Sequence, residues 1–147
     1  MAKVDFYILP EKTREGVYGF ICRLLDKAYQ QKNTVYVHMS TESDAKAFSD
    51  LLWTFRDEAF IPHNLVTETA VIQPPIIIGF DDKDPAKQHD ILFNITAEIP
   101  KFYNQFKRVI EIVQNDAQAK DICRKKFRQY KDENCELTTH DLTKPQQ

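Results

Sequence analysis

Between Lys120 and Lys131 the chain carries six basic residues, Lys120, Arg124, Lys125, Lys126, Arg128 and Lys131, against one acid, Asp121. Lys120, Arg124, Arg128 and Lys131 recur at i, i+4, i+8 and i+11, the spacing of one helix face, and Phe127 stands at its border. A cationic row beside an aromatic ring matches an acidic peptide with a hydrophobic end. The charges steer and orient such a peptide, and an apolar slot holds it. Two other readings share the same residues. Basic side chains toward a helix C-terminus complement the macrodipole as a solvated face, and a cationic row can also meet the phosphates of DNA. Spacing alone leaves all three open.

A second cluster lies in Leu51–Leu65, LLWTFRDEAFIPHNL, which holds the only tryptophan, two phenylalanines and a Pro-His-Asn sequence that reads as a turn. Trp and Phe dominate binding hot spots, yet the same residues also close hydrophobic cores. Helical phase separates the two roles for Trp53. At about 100° per residue it shares a face with Lys46, Ser49 and Arg56, all polar, and not with the apolar stripe Ala45, Phe48, Leu51, Leu52 and Phe55. Such a tryptophan is either folded over by the loop that follows or meets a partner. The loop holds Phe60, Pro62, His63 and Asn64, so both options stand, and His63 is read as orienting the turn.

Enzymatic chemistry finds less support. A phosphate cradle needs glycines in the first strand-to-helix turn so that backbone N–H groups can approach a pyrophosphate. That turn reads PEKTREG, and of the three glycines Gly16 and Gly19 fall inside the predicted first helix and Gly79 in a predicted strand. Neither dinucleotide nor P-loop fingerprint occurs. His38, His63, His89 and His140 are scattered, with no H-x-x-x-H pair and no cysteine at ligand spacing. Cys123 lies among Ile122 and Phe127 as a small buried residue would, and Asp81-Asp82 lie in a polar loop. No metal, cofactor or catalytic residue is assigned.

The elements that must position these residues follow from periodicity. Val4–Pro10 and TVYVHMS (34–40) read as strands, as do the PPIIIGF run ending at Phe80 and DILFNIT (90–96). Prolines restrict the PPIIIGF strand to one end or an edge. The near-continuous apolar character of DILFNIT suits a sheet covered on both faces. Thr13 caps a helix running to about Gln31, and Thr41 with Asp44 opens a second. Pro100 is expected to open a helix with Phe102, Phe106, Val109, Ile110 and Val113 on one face, and a last helix spans about Asp116–Lys131. From Asp132 the chain is polar and expected to be loosely held. The sum is an α/β fold: a single three-layer domain over residues 1–131, with a mostly parallel sheet flanked by helices, nucleotide-binding-like but without a phosphate loop, and a polar C-terminal tail over 132–147. At 147 residues, 42% hydrophobic, 29% charged and net charge −2, the composition is that of a globular protein and argues against generalised nucleic-acid or membrane binding. Three cysteines without a C-x-x-C pair, and no evident leader or span, point to the cytoplasm.

The chain also resembles the chi subunit of the bacterial DNA polymerase III holoenzyme, up to about Thr139. The residues that carry the resemblance are FYIL at Phe6–Leu9, LLW followed by AFIPHNL, DILFNI at Asp90–Ile95, and KDICRKKFRQYK at Lys120–Lys131. The resemblance implies a nucleotide-binding-like fold that uses no nucleotide, and a non-catalytic adaptor with no active site of its own. One face would bind the acidic, phenylalanine-ended C-terminal tail of single-stranded DNA-binding protein. The other would bind the psi subunit of the clamp-loader complex, with a repair helicase as an alternative occupant of the same face. DNA would be met only indirectly, the membrane not at all, and the chain on its own would be a monomer. Carried over residue by residue, Lys120 and Arg124 fall on tail-binding basic positions, with Arg128 beside them. Phe127 falls where a tyrosine is familiar, Lys131 where an arginine is, Val113 on an apolar pocket position, and Trp53 and Phe60 on the psi-facing aromatics. Direct binding of single-stranded nucleic acid is the alternative, and a nucleotide-binding α/β enzyme a more distant one.

Overall fold

A computed structural model describes residues 3–54, 63–65, 75–80 and 90–143. Its centre is a sheet of seven strands: β1 (Lys3–Ile8), β2 (Val35–Met39), β3 (His63–Leu65), β4 (Ile76–Phe80), β5 (Ile91–Asn94), β6 (Arg108–Val113) and β7 (Glu136–Asp141). They lie in the order β3-β4-β2-β5-β6-β1-β7, and every pairing is parallel. The sheet's interior is built from the segments with unbroken apolar character. All residues of β2, β4 and β5 are buried, as parallel strands covered on both faces must be. Pro75 stands just before β4, at its N-terminal end, which lets this strand occupy an interior position between β3 and β2.

Alternation along each strand divides the core in two. Val37, Ile78, Phe93 and Ile110 face helices α1 (Arg14–Gln30) and α2 (Glu42–Trp53), which contribute Ile21, Leu25, Phe48 and Leu52. On the opposite side Phe6, Tyr36, Leu92, Val109 and Val113 pack with Phe102, Phe106 and Tyr130, the last from helix α3 (Ala117–Asp132). The result is the expected three-layer α/β domain. Thr13 caps α1 by accepting from the Gly16 amide at 3.2 Å, and Thr41 caps α2 by accepting from the Asp44 amide at 3.1 Å. Gly79 leaves room for a neighbour, since a Cβ there would lie 1.7 Å from the Tyr36 hydroxyl. The starts of β2 and β5 are tied by Asp90, whose carboxylate accepts from the Thr34 amide at 2.9 Å. That backbone bond, aided by the Thr34 hydroxyl and Lys107, outweighs the loss of hydration and holds the Asp90 carboxyl below its usual range.

Four sequence-based expectations are corrected. Pro100 does not open a long helix: a short 3-10 helix, Tyr103–Gln105, leads into β6. Phe102, Phe106, Val109 and Val113 do share one side of the sheet, which mimicked helical spacing, but RVIEIV is rich in β-branched residues and is inserted between β5 and β1. Within the segment after Asp132, Glu136–Asp141 is not loosely held, because it forms β7 and pairs with β1 along six residues. Its polar, largely exposed pattern suits an outer strand. His63 and Asn64 are not in a turn but open β3, paired with Ile76 and Ile77 of β4. Leu51 is 36% exposed while Ser49 is buried, so the buried stripe of α2 is centred on Ala45, Phe48 and Leu52. Phe55, Phe60, Pro62, His89 and the loop 81–89 lie outside the described residues.

Candidate functional site

Helix α3 begins where Asp116 accepts a hydrogen bond from the Ala119 amide at 2.7 Å, a cap whose removal typically costs about 1 kcal/mol. Of its residues only Lys126 and Tyr130 are fully buried, while Ala119, Ile122, Cys123 and Phe127 are half-buried. Arg124, Arg128 and Lys131 are exposed and Lys120 partly so. At about 100° per residue, Lys120, Arg124, Phe127 and Lys131 occupy one sector beside the buried stripe, and Arg128 points farther outward. Arg124 donates to Asp121 one turn back at 2.5 Å, with both side chains about two-thirds exposed or more (72% and 67%). So exposed a pair contributes about 0–1 kcal/mol and is open to exchange with another carboxylate.

Against the inner side of α3 lies a cavity of about 200 Å³, lined by Phe6, Val113, Ala119, Ile122 and Cys123 together with Glu111 and Lys126. An apolar cavity of roughly 150 Å³ takes up benzene, so this one is the size of an aromatic ring. Val113, which the resemblance puts on an apolar pocket position, is among its lining residues. Phe127 packs instead on Phe6, ring centroids 5.6 Å apart, and helps hold the helix to β1. Lys120 and Arg124 each follow a lining residue, Ala119 and Cys123, by one position. The helix therefore carries its cationic row on a sector adjoining the face that closes a ring-sized recess of mixed apolar and polar lining.

A buried polar network underlies the recess, and the sequence reading did not find it. Glu111, 1% exposed on β6, accepts from the Lys126 ammonium at 2.9 Å, the Tyr130 hydroxyl at 2.6 Å and the Asn94 amide at 2.9 Å. Lys126 also donates to the Thr96 carbonyl. Burial and the neighbouring Glu111 carboxylate push the Tyr130 hydroxyl well above its usual range, so it stays a donor. The signal was present: a lone acid inside RVIEIV, and a lysine in phase with Ala119, Cys123 and Tyr130. Among the six basic residues of this stretch, Lys126 is thus a core group and not part of the outer row.

A larger recess of about 530 Å³ opens at the C-terminal ends of β2 and β5, lined by His38, Ser40, Thr96, Pro100 and Lys101 among others. His140 bonds the buried Asp5 carboxylate at 3.1 Å, which also accepts from Arg108 at 2.6 Å. Among the described residues no group of three or more His, Cys, Asp or Glu side chains converges as a metal would need. Burial pushes the Cys22 thiol up to about 12 and raises that of Cys123, so both lack the thiolate character of a nucleophile. Among the described residues no helix is long and apolar enough to cross a membrane.

The second face is at the end of α2. Trp53 is 48% exposed, in keeping with its place off the buried stripe, and Leu51, also exposed, lies on the opposite flank of that stripe.

Residues 1–138 match the protein-family model described as "DNA polymerase III chi subunit, HolC". The chain is similar to DNA polymerase III subunit chi of Pseudomonas aeruginosa, 37% identical over 142 residues that cover 97% of this chain and 98% of that one. It is also similar to the protein of the same name from Haemophilus influenzae, 29% identical, with 97% and 99% covered. Among solved structures, "The crystal structure of T4 UvsW" aligns with a TM-score of 0.66 at 12% identity, covering 96% of this chain and 41% of that one. At that identity the likeness concerns the α/β fold alone.

Proposed function

Because the chain belongs to the DNA polymerase III chi subunit family, we propose that it serves DNA replication as a non-catalytic adaptor with two docking faces. The α3 face captures the acidic C-terminal tail of single-stranded DNA-binding protein. The α2 end, through Trp53 and with Phe60 beyond the described residues, binds the psi subunit and so the clamp loader, or a repair helicase in its place. The adaptor works in the cytoplasm, is a monomer on its own, and meets DNA only through its partners.

The observation that carries this reading is the cationic row of Lys120, Arg124, Arg128 and Lys131 on the helix whose inner side closes the ring-sized recess lined by Val113. In the proposed mechanism the terminal carboxylate and the tail's aspartates pair with Arg124, Lys120 and their neighbours, displacing Asp121 from Arg124. The terminal phenylalanine ring enters the recess against Val113, Ile122 and Cys123. Phe127 braces the helix from which the charges project. Charge steering makes the contact fast and salt-sensitive, and so short a peptide binds with micromolar-scale affinity, about −8 kcal/mol or weaker.

Titration calorimetry with an acidic, phenylalanine-ended peptide tests the reading. Arg124→Ala should weaken binding about tenfold, which is about 1.4 kcal/mol, and flatten the salt dependence. Unchanged affinity in a folded variant would remove Arg124 from the site. If the helix instead binds bare single-stranded DNA with a steep salt slope, the direct nucleic-acid reading takes over.

A further inference from the structure

The Glu111–Lys126 pair is a costly way to seat a helix on a sheet. Withdrawing two charges from water commonly loses more than their attraction returns, and an apolar pair of similar volume often packs as well or better. Here the cost is met by a full set of partners. Glu111 accepts from Lys126, Tyr130 and Asn94. Lys126 also donates to the Thr96 carbonyl. Asn94 also donates to the Glu98 carbonyl at 2.9 Å and accepts from the Thr96 amide at 3.2 Å and its hydroxyl at 2.7 Å.

These bonds run from one carboxylate to two structures: helix α3, and the segment Thr96–Glu98 that follows β5. The same two structures form walls of the 200 Å³ recess, with Thr96 and Ala97 on one and Ala119, Ile122 and Cys123 on the other. Asn94 and Tyr130 do not line the recess. The Tyr130 hydroxyl reaches it through Glu111, and Asn94 through both Glu111 and Thr96.

We propose that Glu111 is the positioning residue of the recess: by anchoring Lys126, Tyr130 and Asn94 together it fixes the spacing between α3 and Thr96–Glu98 and so sets the preference for an aromatic last residue on the bound peptide. The inference rests on the tail-capture reading and adds to it the source of end-group specificity. It also separates two tasks. Charge is read outside by Lys120 and Arg124, whereas the ring is read inside, where the lysine is already paired.

The test uses two acidic peptides that differ only in ending with Phe or Ala, titrated against the full chain. Wild type should favour the Phe-ended peptide by about tenfold or more, as burial of a ring would give. Glu111→Gln with Lys126→Met removes both charges and leaves neither unpaired. This double variant should lose most of that preference, to within about threefold, while the salt dependence set by the outer row is unchanged. Tyr130→Phe, away from the recess, should reduce the preference by about two- to threefold through Glu111 alone, and it carries the test if the double variant fails to fold. Variants that melt as folded proteins yet retain the full wild-type preference would overturn the inference, leaving the network a packing device. If wild type binds both peptides equally, tail capture stands and the positioning role falls. If it binds neither, tail capture itself falls.

Discussion

The two proposed docking faces are built in opposite ways. On α3 the exposed charges stand over a buried framework, in which Glu111 on β6 is bonded to Lys126 and Tyr130 of the same helix. At the end of α2 an apolar ring, that of Trp53, is exposed on a helix whose buried stripe lies elsewhere. The first face is continuous with the core and the second is laid on the surface. Their physics differs accordingly. A cationic rim gives fast, salt-dependent capture of a mobile acidic chain. An exposed tryptophan gives burial energy that salt leaves nearly untouched. An adaptor holding one partner steadily while exchanging the other needs that division.

If α3 is rooted in the core, stability and binding must fall together there. Lys126→Met alone leaves Glu111 buried and short of its cation, and should cost about 3–5 kcal/mol of stability in denaturant unfolding. A loss under about 1 kcal/mol would mean that the pair is not structural and would erase the contrast between the faces. On α2 the two properties should separate. Trp53→Ala should cost about 2 kcal/mol or more of psi binding and under about 0.5 kcal/mol of stability, since 48% of the residue is already exposed. The binding loss should be nearly the same at low and high salt. A large fall in melting temperature would instead make Trp53 a core residue that happens to show.

Much of this contrast was legible in the sequence, and its gaps have physical causes. The off-stripe phase of Trp53 and the i, i+4, i+8, i+11 row on α3 are local periodicities, and the structure keeps both. Thr13 and Thr41 cap the helices they were expected to cap, because a cap depends on residues three positions away. What failed was non-local. RVIEIV became β6 because a gap between β5 and β1 was there to be filled, and Phe102 and Phe106 lent the segment a false helical period. ELTTHD became β7 although its pattern is polar, because β1 offered an open edge and Asp5 a partner for His140. The recess and its network were hidden for the same reason. Val113, Glu111, Asn94 and Lys126 come from three elements, and only the assembled sheet brings them together.

The smallest effect concerns the acid that the sequence counted as the exception in a basic run. Asp121 holds the Arg124 guanidinium at 2.5 Å on an open helix surface. Any incoming carboxylate must displace it, and its negative charge also opposes an acidic tail at close range. Both effects vanish in Asp121→Asn, which keeps the side chain's size. The exposed pair is worth at most about 1 kcal/mol, so the variant should fold as stably as wild type within that margin. It should bind the acidic peptide about two- to fivefold more tightly, with the gain shrinking as salt is raised. Trp53-dependent binding should not change. If Asp121→Asn weakened peptide binding, the acid would be orienting Arg124 for its ligand, and the α3 rim would prove as pre-organised as the framework beneath it.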